Sequence, residues 1–248
     1  KMIQDGMFDD FKIDEVYALH NWPELPLGTF GVNSGPMMAA VDEFDITVKG
    51  KGGHAASPHL AIDPVVISAQ VISAVQTIIS RSTDPVDKAL ISITKINAGT
   101  AYNVIDDQVK MGGTIRTFRR ETRAYIEKRL NELCKGIADA HGAEIKIEFD
   151  LVNKYPPTIN SKEETKFAAN VAKDLVGDDK VITDIDPSMG GEDFSYLLEK
   201  KPGSYLYLGQ GDAEHSAHLH TTKYDFNDNL LPIGVNFWVD LVQKYFSK

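Results

Sequence analysis

One cysteine, Cys134, stands in 248 residues, so neither an intramolecular disulfide nor a zinc site built from several thiolates can form. That scarcity points to a reducing compartment, read here as the cytoplasm. Positive charge is also short: 26 Lys and Arg face 36 Asp and Glu, a formal net charge of -10. A balance of that sign argues against nucleic acid and anionic membrane surfaces as partners. No apolar run approaches the length needed to cross a bilayer, which predicts a chain without a membrane span. Repeats, low-complexity tracts and a leader-type segment are not visible, and Lys1 stands where an initiator Met would, so it is not read as the natural start. What is present is 42% hydrophobic and 25% charged residues, enough to bury one large domain or two ordinary ones.

Three regions differ in texture. Up to about Gly35, VYALHNWPELPLG predicts a strand that stops near His20 in a Pro-rich bend, a rigid place from which to present a ligand. In the middle region, Phe44, Ile46 and Val48 alternate as in a half-buried strand. Asp63 and Pro64 then cap a helix, ALISITKI and VKMGGTIRTF read as strands, and a second helix carries Ile126, Leu130, Leu133, Cys134 and Ile137 before Gly142. AEIKIEF closes the unit. The order is β-α-β-β-α-β, a ferredoxin-like pattern. The third region begins near NKYPPTIN, a linker, and Ser161 with Glu164 has capping-box spacing before a helix. GSYLYLGQG reads as a strand and LLPIGVNFWVDLVQKYF as a helix. The expected class is α/β, with residues 39–151 inserted between the two parts, 1–38 and 152–248, of a discontinuous domain.

Several side chains could carry chemistry. His215, His218 and His220 lie within six positions, and imidazole suits zinc, manganese, cobalt or nickel. In an extended or loop segment His218 and His220 share a face, so geometry favours either of those two. His54, in GKGGHAASPH, sits on an exposed Gly-rich connection; it reads as an incidental turn residue or as a donor to a substrate oxyanion. Asn103 closes a turn or binds substrate. Arg116 is a solvated charge or a carboxylate clamp. Glu192 and Asp193 are expected in the first turn of a helix, offsetting its dipole, while Gly190 and Gly191 would admit a ligand to backbone N–H groups. Cys134 lies on an apolar stripe and reads as core.

Taken in order, LHNWPELPLG, GKGGHAASPH, NAGTAYNVI, GTIRTF, MGGEDFSYLL and LHTTKYDFND resemble one family over nearly the whole chain: the dinuclear metal-dependent amidohydrolases, aminoacylases and carboxypeptidases. The resemblance is closest to the hippurate hydrolase and auxin-conjugate hydrolase branch. It implies a metallopeptidase-like α/β catalytic domain with residues 39–151 as an inserted lid that also makes a homodimer. It further implies His20 and His220 as metal ligands and His54 as a catalytic group reaching the partner subunit's site. Asn103 and Arg116 would bind substrate, as would Gly190 and Gly191. Two divalent ions (Zn, Mn, Ni or Co) would serve an intact protein that cleaves N-acyl amino acids or small peptide-like amides.

The family's other ligands belong to a Cys-Gly-His-Asp motif and a Glu-Glu pair upstream of the position matching Lys1. The resemblance thus implies a catalytic part that is incomplete here, with neither bound metal nor activity expected of this chain alone. The alternative reading is a non-catalytic remnant that dimerises or binds a ligand.

Overall fold

A computed structural model describes residues 1–150 and 154–247. The expected boundary at 151/152, and Asn153 at the head of the expected linker, lie outside the described residues. After a short helix α1 (Met7–Asp10) come strands β1 (Val16–Pro26), β2 (Phe30–Gly31) and β3 (Gly35–Met38). Next are β4 (Ala40–Lys49), β5 (Gly53–His54), helix α2 (Pro64–Thr77), β6 (Ala89–Asn97), β7 (Val104–Ile105), β8 (Gln108–Thr117), α3 (Arg120–His141) and β9 (Glu144–Phe149). The chain continues through β10 (Thr158–Asn160), α4 (Lys162–Val176), β11 (Val181–Ile182), α5 (Ser195–Leu198), β12 (Gly203–Gly211) and α6 (Leu230–Tyr245).

These elements gather into two units. One comprises Lys1–Met38, Thr158–Ser188 and Glu192–Lys248; the other comprises Ala39–Pro157 and Met189–Gly191. Two short stretches therefore fall in the second unit rather than where the sequence boundaries put them. Tyr155 and Val41 exchange backbone hydrogen bonds of 3.0 Å, and the Ala39 N–H donates to the Gly190 carbonyl at 2.9 Å.

In the second unit, β4 and β8 run antiparallel at the centre of a four-stranded sheet ordered β6-β8-β4-β9. Phe44, Ile46 and Val48 point to one face, where they meet Ile67, Val71 and Val75 of α2 and Ile126, Leu130 and Cys134 of α3. Each such burial is worth roughly 1.5–3 kcal/mol. The Asp63 carboxylate caps α2 by accepting from Val65 N at 2.8 Å and Val66 N at 3.4 Å, with Pro64 at the first helical position. Gly142 ends α3 at φ +66, a left-handed position that glycine adopts without a Cβ clash. Asp42, almost fully buried, is clamped from α3 by Arg123, whose Nε and Nη2 each donate at 2.6 Å.

The stretch Pro64–Ser82 departs from the expectation that no segment could span a membrane. At 19 residues and mean hydropathy 1.3 it is long and apolar enough by length and composition. A core helix passes the same test, and this one buries Ile67, Val71, Val75 and Ile78 against its own sheet.

The first unit is built on a sheet ordered β1-β12-β2-β11, with β1 parallel to β12. The alternation in SYLYL divides β12 between two faces. Leu206 and Leu208 pack with Ala168 and Ala172 of α4 and Phe237 and Leu241 of α6, while Tyr205 and Tyr207 join Met37 and Leu25 on the other. The capping box at α4 does not form: Ser161 makes no side-chain cap, because its hydroxyl accepts from the Gly203 N–H at 3.2 Å.

Candidate functional site

His20 lies inside β1, not at its tip as the Pro-rich sequence suggests. Parallel pairing with β12 carries the strand past it, His20 opposite Tyr207, until the register shifts between Trp22 and Pro26. Its ring lies 6.2 Å from that of Trp22 and 6.1 Å from that of Tyr205. Nδ1 is 2.7 Å from the Asn21 carbonyl. A carbonyl only accepts, so Nδ1 carries the proton, and in the neutral ring Nε2 offers a lone pair. The Tyr205 hydroxyl donates to Glu192 Oε2 at 2.8 Å, and its acidity is suppressed first by burial and then by that carboxylate.

Glu192 thus has a different job from the one expected. The short helix α5 has no acidic residue in its first turn, and Glu192 precedes it, accepting from the Phe194 N–H at 3.1 Å as well as from Tyr205. No local signal marks this role, since Tyr205 is 13 residues away on a strand.

The three clustered histidines part company in a loop. His215 Nδ1 meets Asp212 Oδ1 at 2.8 Å, and His218 Nδ1 meets Glu24 Oε1 at 2.6 Å. The first pair holds Asp212 down at about 2 through hydrogen bonds from His215 and Glu214, and raises His215 through its bond to Asp212. His220 stands apart in the left-handed region at φ +58, alone among non-glycine described residues. Such an outlier persists only where its surroundings hold it. Here the loop is tied to the sheet by buried amides that the sequence did not single out. Gln210 Nε2 donates to the Asp225 carbonyl at 3.0 Å, and Asn227 Nδ2 donates to Gln210 O at 3.0 Å and Asp212 Oδ2 at 2.8 Å. Asn21, next to His20, donates to Gln210 Oε1 at 2.9 Å and to the Tyr224 hydroxyl at 2.7 Å.

In the second unit His54 and Asn103 come together. The segment expected to be a plain Gly-rich turn is folded: Lys51 bridges Ile62, and β5 pairs with β7, His54 opposite Val104. Gly50 is required there, because a Cβ would lie 2.0 Å from the Ile62 carbonyl oxygen. The Ala55 N–H donates to the Asn103 carbonyl at 3.1 Å, and His54 and Asn103 line an open cleft of ≈490 Å³ with Gly52, Gly53 and Asp107. The Ala56 N–H donates to His54 Nδ1 at 3.0 Å. Nδ1 is therefore the acceptor, and in the neutral ring the proton sits on Nε2 as a donor.

Arg116 is elsewhere in the same unit. It pairs with Val41 at the start of β4 and with Leu90 on β6, half-buried. Burial lowers its pKa, opposed by Glu43 and Asp42. It makes no direct ion pair among the described residues, and Asp42 is already taken by Arg123. Gly191 stands by the same end of the strand: a Cβ there would lie 2.0 Å from Val41 Cγ2, so packing alone explains that glycine. Gly190 offers its carbonyl to Ala39.

A metal does not fit what is present. Among the described residues no group of three or more His, Cys, Asp and Glu side chains could hold an ion. His20 and His220 alone fall short of the donor set such a centre needs.

Comparison with known proteins bears on these residues as a set. A profile of peptidase family M20/M25/M40 matches residues 1–244. A hippurate hydrolase of Campylobacter jejuni is 38% identical over 246 residues, covering 99% of this chain and 63% of that protein. An N-acetyldiaminopimelate deacetylase of Lactobacillus helveticus is 40% identical, covering 95% of this chain and 60% of its own length. Among solved structures, the Bacillus subtilis YXEP protein, described as a dinuclear metal binding peptidase, superimposes with a TM-score of 0.79 at 30% identity, covering 97% of this chain and 59% of that one. The chain spans about three-fifths of the length of the relatives it matches.

Proposed function

The chain belongs to peptidase family M20/M25/M40, and from that premise we propose that it is part of a metal-dependent amidohydrolase cleaving N-acyl amino acids or small peptide-like amides. Relatives named as a hydrolase of hippurate and a deacetylase support the reaction class. In this reading residues 1–38 and 152–248 contribute to the catalytic domain, and 39–151 form a ferredoxin-like lid through which two copies dimerise. The cytoplasm is the proposed compartment.

One observation carries the dimeric form of the proposal. Val41, opposite Arg116, and Lys49, opposite Gln108, are eight residues apart along β4, roughly 27 Å. The cleft of His54 and Asn103 opens beyond the Lys49 end, where Gly50 N donates to the Asp107 carbonyl at 2.8 Å. An N-acyl amino acid, two residues' worth of chain, spans roughly 7 Å when extended. His54 and Arg116 of one protomer therefore do not reach one such substrate, whereas His54 of one copy and Arg116 of another can.

The proposed roles follow from donor geometry. His54 Nε2–H donates to the oxygen that becomes negative as the amide carbon turns tetrahedral, and Asn103 supplies a second donor beside it. Arg116, a half-buried cation with no direct ion pair among the described residues, receives the substrate's carboxylate in a bidentate pair, near Gly190 and Gly191. His20 and His220 would be two of the ligands for a pair of divalent ions. This chain's residues do not complete that set, and it is proposed to be inactive alone.

The test compares hydrolysis of benzoylglycine and N-acetyl amino acids by this chain alone and by the chain extended to the length of its relatives. Activity confined to the extended protein, and lost on chelation, is expected. Inactivity of both, with well under one metal ion per extended chain, favours the remnant that only dimerises or binds ligand.

A further inference from the structure

His54 rides on very little structure. Its strand β5 and the partner strand β7 are two residues each, and the pair forms a sheet of its own. None of the four residues is buried. A two-stranded pair of that length is at best marginal in water, so β5 cannot fix the imidazole by itself.

Asp107 grips the glycine-rich segment twice. It immediately precedes β8, whose first residue, Gln108, pairs with Lys49 at the end of β4. From that anchored point its carbonyl accepts from the Gly50 N–H at 2.8 Å, and its Oδ1 accepts from the Gly52 N–H at 2.8 Å. Glycine is needed at 52, because a Cβ there would lie 2.9 Å from that Oδ1 and 2.8 Å from the Ile105 carbonyl oxygen. Asp107 makes no ion pair among the described residues, so its carboxylate is left to the Gly52 N–H. An ionised acceptor holds an N–H more strongly than a neutral one. Asp106 beside it does a different job: its Oδ1 accepts from the Thr100 hydroxyl at 3.1 Å, closing the loop that carries Asn103.

We propose that Asp107 is a positioning residue for His54: its carboxylate fixes the Gly52 N–H, and with it the path of Gly53 and His54 along β7 to the cleft beside Asn103. Without that carboxylate the Gly52 N–H has only water. Gly52 and Gly53 then have the wide choice of backbone conformations that glycine allows, and the stretch between the Gly50 and Ala55 hydrogen bonds becomes a free loop. Pairing of β5 with β7 weakens, as does the Ala56 N–H bond to His54 Nδ1 that sets the ring's tautomer. The core is not involved, since neither Gly52 nor Asp107 packs with Phe44, Ile46 and Val48 against α2 and α3.

This role rests on the reading of His54 as a donor to the oxyanion, but two of its readouts involve no catalysis, so failure of one is distinguishable from failure of the other. In this chain, Asp107→Ala should speed amide exchange at Gly52 and Ala55 about tenfold. Gly50, held by the backbone carbonyl of the same position, should keep its rate, as should the strands β4 and β8. At about pH 9, where an imidazole is neutral, ring-nitrogen NMR should find His54 protonated on Nε2 in the wild type and on either nitrogen in Asp107→Ala. Asp107→Asn, whose amide oxygen still accepts, should restore most of both signals. In the protein extended to the length of its relatives, Asp107→Ala should lower kcat about tenfold at little-changed KM, with no further effect in a His54→Ala background. Unaltered exchange and tautomer in Asp107→Ala overturn the proposal. So does exchange quickened across the whole sheet, or an equal fall in kcat with and without His54.

Discussion

His54 and Arg116 stand beyond and at opposite ends of one antiparallel ladder: Arg116 faces Val41 at the start of β4, and His54 follows the strand's last residue, Lys49. The two groups proposed to meet the two ends of an acylated amino acid are thus kept apart by the strand that links them. In the proposed reading, that separation makes Arg116, which has no direct ion pair among the described residues, and the exposed His54 halves of sites completed by two chains.

The His54 imidazole is set up as a donor because the Ala56 N–H occupies Nδ1. In the protein extended to the length of its relatives, His54→Ala should lower kcat by roughly 10²–10³ while leaving KM little changed, the signature of a donor that acts mainly on the transition state. Steady-state kinetics on benzoylglycine check this. Near wild-type turnover would remove His54 from the chemistry.

The pair Asp42–Arg123 is the second unit's buried charge. Asp42→Ala would strand the Arg123 guanidinium without the carboxylate that both its Nε and Nη2 donate to. Loss of one partner of such a pair costs about 3–5 kcal/mol. Chemical denaturation should show that loss, and the double variant Asp42→Leu with Arg123→Met should recover most of it.

Cys134 is packed between α3 and the sheet, and burial pushes its thiol up to about 11 from an ordinary 9.0. The folded state therefore holds this proton where the unfolded state releases it. The contribution is fully present below pH 9.0 and is lost as pH rises toward about 11. Cys134→Ala should flatten that part of the stability profile. A thiol reagent at pH 8 should label wild-type protein only as it unfolds.

Much of the second unit was legible in the sequence. Alternation at Phe44, Ile46 and Val48, the Asp63–Pro64 start and the Gly142 stop each depend on neighbours within a turn or a strand, and each falls where expected. His20 was misread as a strand tip because what prolongs β1 is β12, nearly two hundred residues later. The Ser161 cap failed for a similar reason, its hydroxyl being claimed by Gly203. Tyr205 with Glu192, and the Gln210–Asn227 amides beneath the histidine loop, left no periodic trace, since such pairs exist only once the strands are stacked. The resemblance picked His220 out of three histidines; the positive φ that sets it apart is a property of the folded loop.

The most direct measurement mixes two disabled proteins. His54→Ala and Arg116→Ala versions of the extended protein, each inactive as a homodimer, are unfolded together, refolded and assayed. If His54 serves the partner's site, each mixed dimer carries one site with both residues intact, and the random mixture regains about a quarter of wild-type activity. If His54 and Arg116 act within one chain, every site in the mixture keeps a defect and no activity returns.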